Sequence, residues 1–251
     1  MMNWLLKGRD CLTVKPFDDI CENLKEIGHN IASACSETGR RADEVVLLGV
    51  TKTVPAEAVN MAIDAGLKGI GENRVQEYLG KREELNFLRP DGSRVYAHLI
   101  GHLQTNKVPK IVGMVDMIQS VDSYHIAEAI SEQSVKLGIV SDILIEVNSG
   151  MEQTKSGVNI EAALEFTYKL SGLKGIHVCG IMSIPPIFDT ESQKRRIFSK
   201  LYKLFIDIRS KNIDNIDVSV LSMGMSGDYR EAVLEGATMV RIGSAIFGRR
   251  A

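Results

Sequence analysis

The chain has 251 residues, 44% of them hydrophobic and 25% charged, with a formal net charge of -2. Those proportions suit a globular protein that buries a core without disulfides or metals. A balance so near neutral excludes the broad basic field that draws proteins to nucleic acid or anionic membranes, so any anion site must be local.

Cys11, Cys21, Cys35 and Cys179 form no CxxC pair and have no His cluster at zinc-ligand spacing. They read as free thiols in a reducing compartment. The segment before Pro16 offers only Trp4-Leu5-Leu6 as an apolar patch, too short for a signal peptide. No apolar run elsewhere approaches the ~18 residues of a membrane span. The expectation is a cytoplasmic protein with an extension over residues 1–17 and one domain over 18–251.

From Asp18 to about Ala34, Ile20, Leu24, Ile27 and Ile31 recur at helical spacing, predicting an amphipathic N-terminal helix. Val45–Val50 is apolar throughout, as in a parallel strand buried on both faces. Pro55 then suits the first turn of a helix. The strand-then-helix pair recurs, with further strands expected at Leu67–Ile70, Val95–Ile100, Met117–Val121, Ile143–Val147, Ile176–Met182, Val218–Leu221 and Met239–Ile242. Among the helices between them, one starts at Asp122 or Ser123 and runs through Ile126, Ile130 and Leu137. Another carries Ile197, Leu201, Leu204, Phe205 and Ile208 on one face.

About eight strands alternating with helices predict a single (β/α)8 barrel of the TIM type with an extra N-terminal helix. The rival, a doubly wound open sheet, usually carries a G-x-G-x-x-G turn after its first strand. Here that turn reads Thr51-Lys52-Thr53-Val54-Pro55.

In a barrel, function gathers where the strands end. Lys52 follows a wholly apolar strand, where desolvation favours the neutral, nucleophilic amine that condenses with aldehydes. A lysine snorkelling into solvent or gripping a phosphate would occupy the same position. The seventh strand end leads to Ser226-Gly227-Asp228 and the eighth to Gly243-Ser244, both opening helices. Barrels often bind phosphate there, although such residues also serve as ordinary helix caps.

Arg241, inside the eighth strand, is expected to face the lumen, in an ion pair or against a ligand. His98 and His102 read as pocket-lining or hydrogen-bonded side chains, with metal binding as the other possibility. Glu72 reads as a base or as the first-turn acid of a helix over Asn73–Leu85. Lys194-Arg195-Arg196 reads as a solvated helix face.

Several runs resemble successive signatures of the pyridoxal phosphate homeostasis protein family. They are Gly49-Val50-Thr51-Lys52-Thr53, Ile70-Gly71-Glu72-Asn73-Arg74-Val75-Gln76-Glu77, His98 through Lys107, Lys155-Ser156-Gly157, Leu221 through Ser226, and Met239 through Gly248. The resemblance covers residues from about 20 to 250, in the family's order. It implies the barrel of alanine racemase's N-terminal domain (PLP fold-type III), with pyridoxal 5'-phosphate (PLP) on Lys52 as a Schiff base. It further implies that Ser226, Gly243 and Ser244 bind the phosphate and that Arg241 faces the pyridine nitrogen. Asn73, His98 and Ser222 would line the pocket. An arginine at that nitrogen disfavours its protonation and weakens the ring as an electron sink.

Three positions depart from the family pattern. Val54 stands where a second lysine is frequent, Arg74 where an aromatic is frequent, and Ser244 where threonine is common. Alanine racemase carries a second domain after its barrel that supplies a tyrosine acid/base, whereas this sequence ends at Ala251. The expectation is therefore a PLP carrier in cofactor homeostasis without efficient catalysis, monomeric, with PLP-dependent apo-enzymes as recipients. The alternatives are a weak amino-acid racemase using Lys52 as base, and a barrel binding a phosphorylated metabolite without PLP.

Overall fold

Eight parallel strands close on themselves in a computed structural model that describes residues 19–150, 156–186 and 190–248. The expected extension over residues 1–17, with Cys11, lies outside the described residues, as does Lys155. The strands of the barrel are β1 (Val46–Val50), β2 (Gly69–Glu72), β3 (Tyr96–Leu99), β4 (Met117–Val121), β5 (Ser141–Asn148), β7 (Ile176–Met182), β8 (Ile216–Ser222) and β9 (Met239–Ile242). A two-residue strand, β6 (Val158–Asn159), pairs with the end of β5 outside the ring. Closure comes from two pairings: β1 with β9, where Leu48 stands beside Arg241, and β4 with β5.

The helices are α1 (Ile20–Glu37), α2 (Ala56–Asp64), α3 (Val75–Lys81), α4 (Val108–Ile111), α5 (Tyr124–Leu137), α6 (Ala163–Leu170), α7 (Glu191–Ser210), α8 (Tyr229–Leu234) and α9 (Ser244–Phe247). The main core lies between this outer ring and the sheet and includes Ile63, Ile130, Phe198 and Ile246, all fully buried. Two smaller clusters draw on strands and the residue after one: Leu48, Val50, Ile100 and Met239, and Met117, Leu144, Cys179 and Met182. These fill the lumen, so the barrel is a packed core with a shaped mouth rather than a pore.

The extra helix α1 buries Ile20, Ile27, Ile31, Ala34 and Cys35 along one stripe. It packs against α8 and α9, the helices that come after the last two barrel strands. Asn23 Nδ2 donates to the Ile246 carbonyl at 3.0 Å, and Asn30 Nδ2 to Tyr229 Oη at 3.0 Å. Beyond its end, Arg40 binds the carbonyls of Val233 and Ala237 at 3.1 and 3.0 Å.

Two of the differences from the expected boundaries bear on the site. The strand expected at Leu67–Ile70 lies at Gly69–Glu72, because the Leu67 N–H still closes α2 by donating to the Ala62 carbonyl at 2.9 Å. The helix expected over Asn73–Leu85 spans only Val75–Lys81 and is followed by a 3-10 turn, Arg82–Glu84. Glu72 is consequently a buried strand residue and not the first-turn acid of a helix.

Candidate functional site at the barrel mouth

The carboxyl ends of β1, β8 and β9 surround a cavity of about 550 Å³. Its walls are Val50, Lys52, Met225, Ser226, Gly227, Arg241, Gly243 and Ser244. Five residues singled out in the sequence, Lys52, Ser226, Arg241, Gly243 and Ser244, thus share one space. Two of them sit on linked loops: Ser226 Oγ accepts from the Ala245 N–H at 3.3 Å, tying the β8–α8 loop to the start of α9. Ser226 is not the cap of α8, whose N-cap is Asp228. The Asp228 carboxylate accepts from the Met225 N–H at 2.6 Å and shapes the loop from within.

Two glycines bring backbone close together around this mouth. Gly224 has φ +93 and lies so close to α8 that an added Cβ would meet Ala232 Cβ at 2.6 Å. At Gly243 a Cβ would stand 3.3 Å from both Val50 Cβ and the Val50 carbonyl oxygen, a tight contact that the end of β1 would have to relieve by a small shift.

Arg241 is 3% exposed, and its guanidinium donates to Ser222 Oγ at 2.7 Å and to the Ser183 carbonyl at 2.8 Å. Burial lowers its pKa to about 10, against the pull of Asp228 and Glu146, so it stays cationic at neutral pH. Ser222 Oγ donates to Gln119 Oε1 at 2.8 Å, and Gln119 Nε2 lies 2.8 Å from His98 Nδ1. With the Gln119 oxygen facing Ser222, its amide nitrogen, which only donates, faces His98. His98 therefore accepts at Nδ1 and is neutral, and burial holds it down at about 4. His98 and Ser222 belong to this relay beneath the cavity and are not among its walls.

Asn73, half-buried after β2, is also outside the cavity walls. Its backbone packs on Gly101 so closely that a Cβ there would meet the Asn73 carbonyl oxygen at 2.3 Å. Glu146 on β5 is buried, and burial together with Asp122 raises it to about 7, opposed by Arg241 and His102. Gln119 and Glu146 escaped the sequence reading. Gln119 and Glu146 each gave the signal that Arg241 gave, a polar residue inside an apolar strand.

Other expectations resolve by geometry. His102 is exposed and pairs with Asp122 at 3.3 Å, well apart from the His98 relay. Lys194 and Arg195 are not simply solvated: Lys194 Nζ donates to the Gly227 carbonyl at 3.0 Å, and Arg195 pairs with Glu235 at 2.7 Å. Near the start of β5 and β7, Asp142, His177 and Cys179 bring a carboxylate, an imidazole and a thiol within 4.8 Å of one another. Burial and Asp142 push the Cys179 thiol up to about 12, so it is a neutral neighbour of the His177–Asp142 pair. No described helix is long and apolar enough to cross a membrane.

A closed parallel barrel with a lysine after its first strand and glycine-serine loops after its last two defines a β/α-barrel protein built around a mouth site. The chain belongs to the alanine racemase N-terminal domain family, whose model matches residues 23–251, and to the pyridoxal phosphate homeostasis proteins within it. It is 42% identical over 233 residues to the pyridoxal phosphate homeostasis protein of Aquifex aeolicus, covering 92% of this chain and 98% of that one. The crystal structure of a protein from Bifidobacterium adolescentis has TM-score 0.88 and 37% identity, covering 95% of this chain and 98% of the other. PipY of Synechococcus elongatus, solved with PLP bound, has TM-score 0.76 and 30% identity over 91% of this chain and all of its own.

Proposed function

We propose that the barrel mouth holds PLP with Lys52 as its covalent attachment point, and that the protein serves PLP homeostasis. The observation that carries this reading is the convergence of Lys52, Ser226, Gly243 and Ser244, from three strand ends, on one cavity. The residues suit the cofactor's parts. Its aldehyde needs an amine, its charged tail needs hydroxyl and backbone N–H donors, and its ring needs an apolar wall such as Val50 and Met225. When bound, PLP supplies an aldehyde that condenses with the lysine amine, forming a C=N bond and releasing water.

The chain's own residues hold and orient the cofactor. Gly243 keeps the space beside Val50 clear, and the loops carrying Ser226 and Ser244 hold the anion. The Arg241 guanidinium is held in place by Ser222 and Ser183. A fixed cation at the pyridine nitrogen would disfavour its protonation, which would suit storage and release of the cofactor better than carbanion chemistry.

In the same reading the protein is a cytoplasmic monomer, one barrel domain over residues 18–251. It keeps free PLP low and releases it to PLP-dependent apo-enzymes. Borohydride reduction of PLP-loaded protein followed by peptide mass spectrometry tests the site. The expected product is a pyridoxyl group on Lys52. No adduct, or an adduct confined to another residue, overturns the assignment.

A further inference from the structure

Lys52 sits in the five-residue connection from β1 to α2, Thr51 to Pro55, that a second lysine grips from outside the cavity. Lys81 Nζ, near the end of α3, donates to the Thr51 carbonyl at 2.7 Å and to the Val54 carbonyl at 3.2 Å. One amine therefore binds backbone on both sides of Lys52. The same amine lies 2.5 Å from Glu72 Oε1 on β2, and that oxygen also accepts from Thr51 Oγ1. Glu77, one helical turn before Lys81 and 3.5 Å from its Nζ, accepts from the Thr53 N–H.

These contacts act on a strained backbone. Thr53 has φ +59, in the left-handed region that a β-branched residue avoids. Such conformations are costly and persist only where the surroundings over-determine them. Glu72 is 1% exposed, and its second carboxylate oxygen, Oε2, is buried without a hydrogen-bond partner. A carboxylate in that setting is destabilising unless a cation compensates it, and Lys81 is the cation in place.

We propose that Lys81, ion-paired to Glu72, is the positioning residue for Lys52: it locks the Thr51–Val54 loop in the conformation that presents the Lys52 amine to the cavity. This rests on the reading of Lys52 as the PLP lysine. Lys81 itself is not a competing nucleophile, because its amine is already donating to two carbonyls and paired with Glu72. Neither it nor Glu72 forms a wall of the cavity.

The test compares wild type, Lys81→Met, Lys81→Arg and Glu72→Gln in rate of Schiff-base formation, followed by absorbance well below each variant's melting temperature. Both PLP and pyridoxal, which lacks the phosphate, are used as aldehydes. Misplacing a reacting group costs heavily in rate, so Lys81→Met is expected to form the adduct about tenfold more slowly or worse with both aldehydes. Lys81→Arg, which keeps charge and donors, should recover most of that loss. A Lys81→Met protein that matches wild type overturns the clamp, provided wild type carries its adduct on Lys52. Slowing with PLP but not with pyridoxal also overturns it, since the defect would then belong to the phosphate loops. If wild type itself carries no adduct on Lys52, the cofactor reading fails first and takes the clamp with it. Should Lys81→Met not fold, the near-isosteric Glu72→Gln makes the same measurement, and an unchanged rate there overturns the proposal.

Discussion

Gln119 Nε2 stands 2.8 Å from His98 Nδ1 and must donate to it, because the amide oxygen of Gln119 is already taken by Ser222 Oγ. Both side chains are buried, so neither has water as a substitute partner. Replacing Gln119 by Leu would leave Ser222 and His98 each short of a partner in the lumen. The expected loss is about 1–3 kcal/mol of unfolding free energy, measured by urea titration of cofactor-free protein. A Gln119→Leu protein as stable as wild type would show that the relay contributes nothing to the fold.

The same lumen predicts a masked pH dependence. His98 falls from its ordinary 6.5 to about 4. Between those values the unfolded chain binds the proton and the folded one does not, so this residue makes stability rise with pH. Glu146 rises from 4.5 to about 7. Between those values the folded chain keeps the proton, so this residue makes stability fall as pH rises. The slopes oppose each other over their common range, each worth at most about 3 kcal/mol at ~1.4 kcal/mol per unit. Glu146→Gln should expose the His98 slope: denaturation of the cofactor-free variant is expected to show stability climbing from pH 4 to 6.5 more steeply than wild type. Parallel curves for the two proteins would remove Glu146 from the account.

Ser226 joins the β8–α8 loop to the start of α9 through the Ala245 N–H. On the proposed map it also faces the phosphate. A hydrogen bond to a charged group contributes about 1.5–3 kcal/mol, so Ser226→Ala should release PLP about tenfold faster or more on dialysis. Ser244→Ala should act in the same direction. Retention equal to wild type in both variants would count against the phosphate assignment.

The N-terminal helix should matter for stability and, through α8 and α9, for the cofactor mouth. Ile31 is 5% exposed on the stripe of α1 that faces the body of the protein. Ile31→Ala is expected to cost about 2–5 kcal/mol, read as a lowered urea midpoint, and to quicken PLP loss as the anchored helices loosen. Full stability in this variant would mean that α1 is an ornament on the barrel.

The alternation of buried parallel strands with one-sided helices is a local property, and it appears in the sequence because each element must hide an apolar face. The Met239–Ile242 strand could be read residue by residue for that reason, and so could the buried end of β1 and the place of Lys52 just after it, whereas the start of that strand, Val46, is exposed. The limits lay where distant parts meet. Glu72 looked like the first-turn acid of a helix, and only the pairing of β2 with its neighbours made it a buried strand carboxylate seeking Lys81. Gln119 drew no notice in an apolar run until closure of the ring set it between Ser222 on β8 and His98 on β3. Spacing along the chain reports which face a residue takes. What that face meets, across a lumen built from eight separate strands, is decided only when the barrel closes.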